Sequence, residues 1–597
     1  MELVESVAFG IEVASWLIAK IDDLIVRIIG LGLLLVVAAY AWSNRQQLLA
    51  PKLSADADPS QIVFPPSRLL YLTKLGAGLA ASGALLFGAY SLDELDQGAF
   101  TWPDTPAGRP EAGGTAQPGS DGATSAALPS PVPGPALLAR WVQVVPAEPA
   151  CSLPPWLPAA EIADAPLPDR CGFGFLVRTV LSPEANCPTV KVRYGAAVGA
   201  GAGLHSLVLR ERRNPDVERY PVLVCEATLV DPERARSVTF ADGGSIALST
   251  RLHADSGPEL LAIFGDTGCR DDRDQDCSGA NWPFAHLAED VAGQENGSGR
   301  GTPDLVIHLG DFIYGGGDFW AAWQYEFFRP AKPLLEAAPW IMVRGNHEGC
   351  GGDAPRGWLL FFDYRPGDGG TDTCASTDRA HLVPSYALDL PNGRRLIVTD
   401  SSNAFAAERA RALGSNCGSI GSEEAQNSES RLDPKDQPGC ERFTRQFEHV
   451  EYLASDTGLD WLITHVPVFA VEKAHEAKWA PKSSAMMLAA SRSVGADGET
   501  GVDLVLSGDR HLLQIVQPEE IDVAQVTIGT GGVNLDPVPG QLKGTEQSMG
   551  SWDVCTDARH GMVWATLTAG NYRFAFQPLG PSAGGDCDEM LADIRDR

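Results

Sequence analysis

The chain has 597 residues, enough for several domains and a large core. Its formal net charge is -31 with a sequence pI near 4.7, and so acidic a surface repels phosphate backbones, which sets nucleic acid aside as an expected partner. An anionic substrate would have to be drawn in by a local positive charge, and bound metal ions are the usual source.

All twelve cysteines lie from Cys151 onward. An even number confined to one part of the chain points to disulfides in an oxidising compartment, with buried thiols of a cytosolic enzyme as the alternative. No CxxC pair is present, so a thiolate zinc site is not expected.

Residues 1–23 are mildly amphipathic and acidic. Leu24–Trp42 is apolar except for Arg27, which lies close enough to the end to snorkel. Leu75–Leu92 is a second uncharged run, rich in Gly and Ala. Each is about 18–20 residues, the length that crosses a bilayer, so residues 1–92 are expected to form a membrane anchor with two transmembrane helices. A cleaved signal peptide would need a basic start and a small-residue cleavage site, whereas an acidic tail precedes the first run and Tyr40-Ala41-Trp42 closes it. A buried soluble hairpin is the other alternative. The connecting loop carries Arg45, Lys52, Arg68 and Lys74, and the positive-inside rule places that loop in the cytoplasm and both termini outside.

Residues 93–137 are Pro, Gly, Ala, Ser and Thr with few large apolar side chains, the composition of a flexible linker. Residues 138–256 show short alternating strands (GFGFLVRTVL, TVKVRYG, HSLVLRERR, YPVLVCEATL, RSVTFADG), which suggest a small all-β sandwich domain. Gly199, Gly201 and Gly203 read as a turn, because no helix signal or Lys-Ser/Thr follows them. From residue 257 to 597 buried-type strands alternate with longer segments, which defines an α/β domain. Two cysteine-bearing insertions, around Cys350–Cys374 and Cys417–Cys440, are expected to be loops closed by local disulfides of unassigned connectivity. The closing runs GMVWATLTA and YRFAFQP should complete a sheet edge.

Five apolar runs in the α/β region each deliver polar side chains at their carboxyl ends. They are LLAIF-GDTG (Asp266), LVIHL-GDFIY (Asp311, Tyr314), WIMV-RGNHE (Asn346, His347), WLI-THVP (His465) and DLVL-SGDRH (Asp509, His511). Open α/β sheets bind ligands outside the carboxyl ends of their strands, and Asp, Asn and His suit divalent or trivalent metals. Taken singly, Gly-Asp after a strand is often a turn or an N-cap, and His308 in mid-strand reads as a satisfied core histidine. The joint order reads as a metal site in which Asp311 bridges two ions about 4 Å apart.

These blocks resemble those of the calcineurin-like metallophosphoesterases, and GDxG with GDxxY is similar to the purple acid phosphatase branch. The resemblance covers about residues 258–575 and implies two metals in a β-sandwich flanked by helices (αββα). It implies that Asp266, Asp311, Tyr314 and His511 hold the first ion, and that Asp311, Asn346, His465 and Asp509 hold the second. His347 would contact the phosphoryl group, and a Tyr314 phenolate would replace the histidine missing at Gly268 and favour Fe(III), beside a divalent Fe, Mn or Zn. Asp509 departs from the usual GHxH block. It ligates through oxygen or turns away. His475 stands where that branch places a general acid, though a surface helix histidine is the alternative. Arg344 and Arg510 stand beside ligands and would clamp phosphate oxygens or pair with acidic neighbours.

The expectation is a membrane-anchored, extracytoplasmic (periplasmic or cell-surface) metallophosphoesterase of the acid phosphatase type, acting through a dinuclear centre and metal-bound hydroxide on a small-molecule or exposed phosphoester. The alternatives are a phosphodiesterase or nucleotide hydrolase of the same fold, or a non-catalytic surface protein that keeps the fold. P-loop and HExxH elements are absent from the sequence.

Overall fold

The strands that lead into the candidate site are apolar without alternation, and this follows from burial on both faces. The computed structural model describes residues 137–153, 170–196, 202–229, 231–270, 275–278, 281–293, 301–314, 317–350, 352, 354–365, 383–402, 404, 437–454, 459–473, 479–481, 502–518, 523–538, 541–546, 550–568, 571–580 and 587–594. The expected membrane anchor and linker, His475, Cys374 and Cys417 lie outside them. Among the described residues no helix is long and apolar enough to cross a membrane.

Among the described residues two nine-stranded mixed sheets carry the fold. The first runs, edge to edge, Asn571–Pro578, Gly561–Thr568, Leu260–Phe264, Leu305–His308, Trp340–Met342, Leu137–Pro146, Phe173–Leu181, Leu223–Thr228 and Arg210–Arg212. The second runs Ser152–Leu153, Ser385–Asp389, Arg394–Val398, Leu459–Ile463, Val502–Ser507, Ala524–Ile528, Leu513–Pro518, Gly550–Asp557 and Gln541–Glu546. Each has a parallel centre with antiparallel flanks. Leu260–Phe264, Leu305–His308 and Trp340–Met342 are parallel in the first. Arg394–Val398, Leu459–Ile463, Val502–Ser507 and Ala524–Ile528 are parallel in the second. The two closing runs do pair antiparallel at the edge of the first sheet.

The sheets face each other. Trp461 of the second packs on Tyr572 and Phe574 of the first, with ring centroids 5.1 and 5.4 Å apart. Strand alternation then sorts the second sheet: Trp461, Ile463, Leu504 and Leu506 enter the core between sheets. Leu462 and Val505 point away, to Phe447, Val450 and Leu453 of the helix Gln437–Leu453. On the first sheet's outer face Phe264 meets Phe284 of the helix Pro283–Gly293, and Trp340 meets Phe327. Full burial of one such aromatic contributes about 1.5–3 kcal/mol.

The region 138–256, expected as a sandwich domain of its own, is divided between sheets. Leu137–Pro146 joins the first sheet parallel to Trp340–Met342, with Gln143 opposite Trp340. Phe173–Leu181, Leu223–Thr228 and Arg210–Arg212 extend that sheet to its far edge. Ser152–Leu153 pairs with the second sheet at Ser385–Asp389. Only Thr189–Tyr194, Gly203–Val208, Ala235–Thr239 and Ser245–Ala247 form a separate four-stranded sheet. The reason is visible in two buried arginines. Arg178 donates to the Phe361 and Asp363 carbonyls (2.5 Å each) and Arg212 to those of Leu359 (3.0 Å) and Arg365 (2.8 Å). These carbonyls lie at and beyond the C-terminus of the helix Pro355–Phe361, where cations satisfy the last unbonded groups. Glu226 pairs with both arginines, at 2.8 and 3.1 Å. Burial lowers the Arg178 pKa to about 10, so the guanidinium stays charged at neutral pH.

Disulfides close Cys151–Cys171, Cys187–Cys225, Cys269–Cys277 and Cys555–Cys587. Cys350 is also disulfide-bonded.

Arg178→Met is expected to lower unfolding stability by about 3 kcal/mol, because it removes one of the two cations on Glu226 and strands the Phe361 and Asp363 carbonyls. Chemical denaturation reads this directly, and a loss under about 1 kcal/mol would refute the anchoring role.

Candidate metal centre

Each sheet's parallel strands end on the same side, so five loops meet there. Backbone bonds zip them: Asp266 N–H donates to the Gly310 carbonyl (2.9 Å), Thr267 N–H to Asp311 (3.0 Å) and Gly508 N–H to His465 (2.8 Å). The loop after Ala524–Ile528 joins the two sheets, with Gly531 N–H on the Gly265 carbonyl (3.0 Å) and Val533 N–H on that of Asp266 (3.1 Å).

Among the described residues four non-glycines have positive φ, and three are Asp266 (58°), Asp311 (56°) and Asp509 (67°). The left-handed conformation costs about 1–2 kcal/mol in most L-residues and is easiest for Asp and Asn. Such outliers collect at functional sites. Gly310, at φ 102°, lies so close to His465 that a Cβ there would come within 2.5 Å of its Nδ1.

The side chains form two joined groups. In one, the Tyr314 hydroxyl is 2.8 Å from Asp266 Oδ1 and 3.2 Å from His511 Nε2, and His511 Nε2 is 3.6 Å from the same oxygen. In the other, His465 Nε2 is 2.9 Å from Asn346 Oδ1, 3.3 Å from Asp311 Oδ1 and 4.0 Å from Asp509 Oδ1. Asp266, Asp311 and His465 offer ligand atoms within 4.8 Å of one another. His465 Nδ1 donates to the Leu309 carbonyl at 2.7 Å, which turns Nε2 toward the oxygens, the usual support for a metal-bound imidazole.

Electrostatics state the same need for a cation. Burial, with the Asp311 and Asp509 charges, raises the Asp266 pKa well above the carboxylate range against the opposing pull of His465. Burial also disfavours a charged His465, yet Asp311, Asp266 and Asp509 hold its pKa well above the ordinary value. Asp311, buried too, is kept ionised by His465 and His347. Burial and Arg270 lower His511 to about 3, so it is a neutral imidazole with a lone pair to give. Burial and the two carboxylates raise Tyr314 well above 10. A proton on His465 and a cation among the oxygens answer the same field. The donor set, of oxygens and imidazoles without thiolate, fits hard or borderline divalent or trivalent ions.

Gly268 and Tyr314 are sterically linked. A Cβ on Gly268 would come within 2.7 Å of the Tyr314 ring and of Ile313 Cα, so the phenol occupies the space that a side chain at 268 would fill.

The sequence-derived residues Asp266, Asp311, Tyr314, Asn346, His465, Asp509 and His511 are thus brought together. His347 joins them: its backbone N–H donates to Asp311 Oδ1 (3.1 Å), and its Nε2 lies 4.0 Å from Asp311 Oδ2. Arg510 stands at the rim, with Nε 3.4 Å from Asp509 Oδ2. His475 lies outside the described residues. Arg344 is a correction. Its side chain is 1% exposed and faces Asp400 (3.4 Å), the Glu348 carbonyl (2.9 Å) and the Trp358 ring, so it pairs with an acidic neighbour and braces the GNHE turn. His308 is the satisfied core histidine expected: Nδ1 accepts from Gly310 N–H (3.2 Å) and Nε2 meets Thr267 Oγ1 (2.9 Å).

Two carboxylates escaped the sequence reading. Glu348 is fully buried and accepts from the backbone N–H groups of Asp311 (3.1 Å), Phe312 (3.0 Å), Ile313 (3.4 Å) and Gly345 (3.1 Å). Burial and Asp311 raise its pKa to about 8. Glu326 accepts from Cys269 N–H (3.2 Å) and Tyr314 N–H (2.9 Å). It sits in a π-helical turn, Gln324–Phe328, a distortion frequent at functional sites. Glu348 had a signal, as the last residue of GNHE. Glu326 had none.

Fold and ligand geometry together describe a metal-binding α/β hydrolase site at the open end of a two-sheet sandwich. Residues 260–513 match the model of the family described as calcineurin-like phosphoesterase. No curated protein matches the chain significantly. Among solved structures it is similar to "GAP50 the anchor in the inner membrane complex of Plasmodium", at 13% identity and TM-score 0.31 over 54% of this chain and 85% of that one. It is also similar to phosphopantetheinyl hydrolase (PptH) from Mycobacterium tuberculosis, at 12% identity and TM-score 0.22 over 47% and 92%.

Two outcomes are expected. Glu348, Asp266 and His465 all have folded-state pKa values raised above their unfolded ones, so the stability they contribute is lost as pH rises. Histidines with lowered values, such as His511, are neutral in both states above about pH 6.5. Chelated protein should therefore melt lower at pH 8 than at pH 6.5, with a slope of about 1.4 kcal/mol per pH unit for each net proton. Added Mn(II) should remove the slope, and a flat chelated profile would contradict the electrostatics. Separately, Gly268→Ala should displace Tyr314 and cut bound metal at least about threefold by elemental analysis. Full retention would show that the contact is not limiting.

Proposed function

We propose that this protein is a membrane-anchored, extracytoplasmic phosphatase of the purple acid phosphatase type. The observation that carries the reading is the pair of ligand groups joined by Asp311. Asp266, Tyr314 and His511 would hold the first cation. Asn346, His465 and Asp509 would hold the second, and Asp311 would serve both. The link between Gly268 and Tyr314 supports a tyrosine-bearing first site and hence Fe(III) there, beside a divalent Fe, Mn or Zn. The orientation of Asp509 toward His465 supports its use as a ligand rather than its turning away. Apolar runs at 24–42 and 75–92, together with disulfide-bonded cysteines, support anchoring with the phosphoesterase domain in an oxidising compartment.

Bound cations would supply Lewis acidity at the phosphoryl oxygens and make attacking water acidic. The chain does the rest. Its carboxylates, clamped by backbone bonds, hold the ligand atoms in place before substrate arrives. His347, with its side chain 19% exposed, reaches the solvent side of Asp311, where it would hydrogen-bond a phosphoryl oxygen or pass a proton to the leaving group.

The purified full-length chain, loaded with Fe, Mn or Zn, should hydrolyse an aryl phosphate. Asp311→Ala should reduce kcat/KM by at least about 1000-fold, or roughly 4 kcal/mol, together with its metal content. No turnover of monoesters, diesters or pyrophosphates with any of these metals would sink the reading.

A further inference from the structure

Arg270 lies outside every motif singled out in the sequence, yet the structure sets it against the site. It follows Cys269, two residues beyond the Asp266 turn. Its guanidinium carbon is 4.4 Å from the centre of the Tyr314 ring, and one terminal nitrogen is 3.3 Å from His347 Nε2. Arginine only donates, so His347 Nε2 is the acceptor in that contact. Arg270 is half-buried, and among the described residues no carboxylate pairs with it. Arg344 and Arg510 differ in this respect, being engaged by Asp400 and Asp509.

Its backbone is held from both sides. The Cys269–Cys277 disulfide closes the loop. Arg270 N–H donates to Gln275 Oε1 at 2.9 Å, Gln275 N–H returns a bond to the Arg270 carbonyl at 3.2 Å, and Gln275 Nε2 donates to Gly532 at 2.6 Å. Glu326 fixes the preceding N–H. A cation on a braced loop, beside an imidazole and above a candidate metal ligand, is arranged to receive a tetrahedral oxyanion.

We propose that Arg270 binds a non-bridging phosphoryl oxygen of the substrate and, with His347, selects a terminal dianionic phosphate over a phosphodiester. The inference rests on the phosphoesterase reading above. A monoester keeps an oxygen free for this guanidinium after the others meet the cations, whereas a diester carries a second ester group there and one charge less.

The test uses full-length, Mn-loaded protein. Titration calorimetry with inorganic phosphate should show Arg270→Ala binding about 10–100-fold more weakly than wild type. In steady state, kcat/KM for 4-nitrophenyl phosphate should fall by a similar factor, mainly through KM, while that for bis(4-nitrophenyl) phosphate changes less than about threefold. Metal content and melting temperature should be unchanged. If Arg270→Ala does not fold, Arg270→Gln reads the same quantities. Unchanged phosphate affinity, or an equal fall for both esters with loss of metal, would overturn the inference while wild-type hydrolysis leaves the phosphoesterase reading standing. A wild type that neither binds phosphate nor hydrolyses either ester would overturn both.

Discussion

Mutual repulsion among buried carboxylates governs this structure. Asp266, Asp311 and Glu348 are at most 1% exposed, and Asp509 adds a fourth charge beside them. Ionised carboxylates in so dry a place are unfavourable unless a cation or a proton joins them. His465, fully buried with Nε2 3.3 Å from Asp311 Oδ1, supplies charge that answers part of the field. The fold therefore concentrates negative charge at the strand ends, where a proton or a cation offsets it.

Holding those groups apart by fixed distances takes a scaffold of backbone bonds. Glu348 gathers four N–H groups from two loops, and Glu326 ties the Cys269 loop to Tyr314. The left-handed aspartates turn their carboxylates inward while their own amides bond neighbouring loops, as Asp509 N–H does to Asp266 Oδ2 at 3.0 Å. The strain is local and the neighbouring sheets over-determine it. Rigidity of this kind suits catalysis, because pre-set groups need no reorganisation during reaction.

The upstream segment belongs to this scaffold. Its first strand lies beside Trp340–Met342, the strand that leads to Asn346. Arg178 and Arg212 cap the C-terminal end of the helix that follows the GNHE turn, and Arg344 stacks on Trp358 within it. Changes near residue 178 therefore act on the turn that carries Asn346 and His347 by way of packing rather than through the metal ligands.

The sequence by itself determined the candidate ligands. Their types, their order and their place after apolar runs are local properties, and strands buried on both faces must be apolar throughout, so the five ends were legible. So was the pairing of Gly268 with Tyr314, which the structure explains as a shared space. Only tertiary structure decided which arginine faces the site. Arg344 and Arg270 both stand near ligands in the chain, but side-chain direction depends on packing, and Asp400 and Trp358 take the first while Tyr314 and His347 take the second. Tertiary structure also decided that strands of residues 138–256 complete the first sheet. Alternation announces a strand but not its neighbour, because pairing partners are chosen by long-range hydrogen bonds and buried charges such as Arg178, which leave no periodic mark in the sequence.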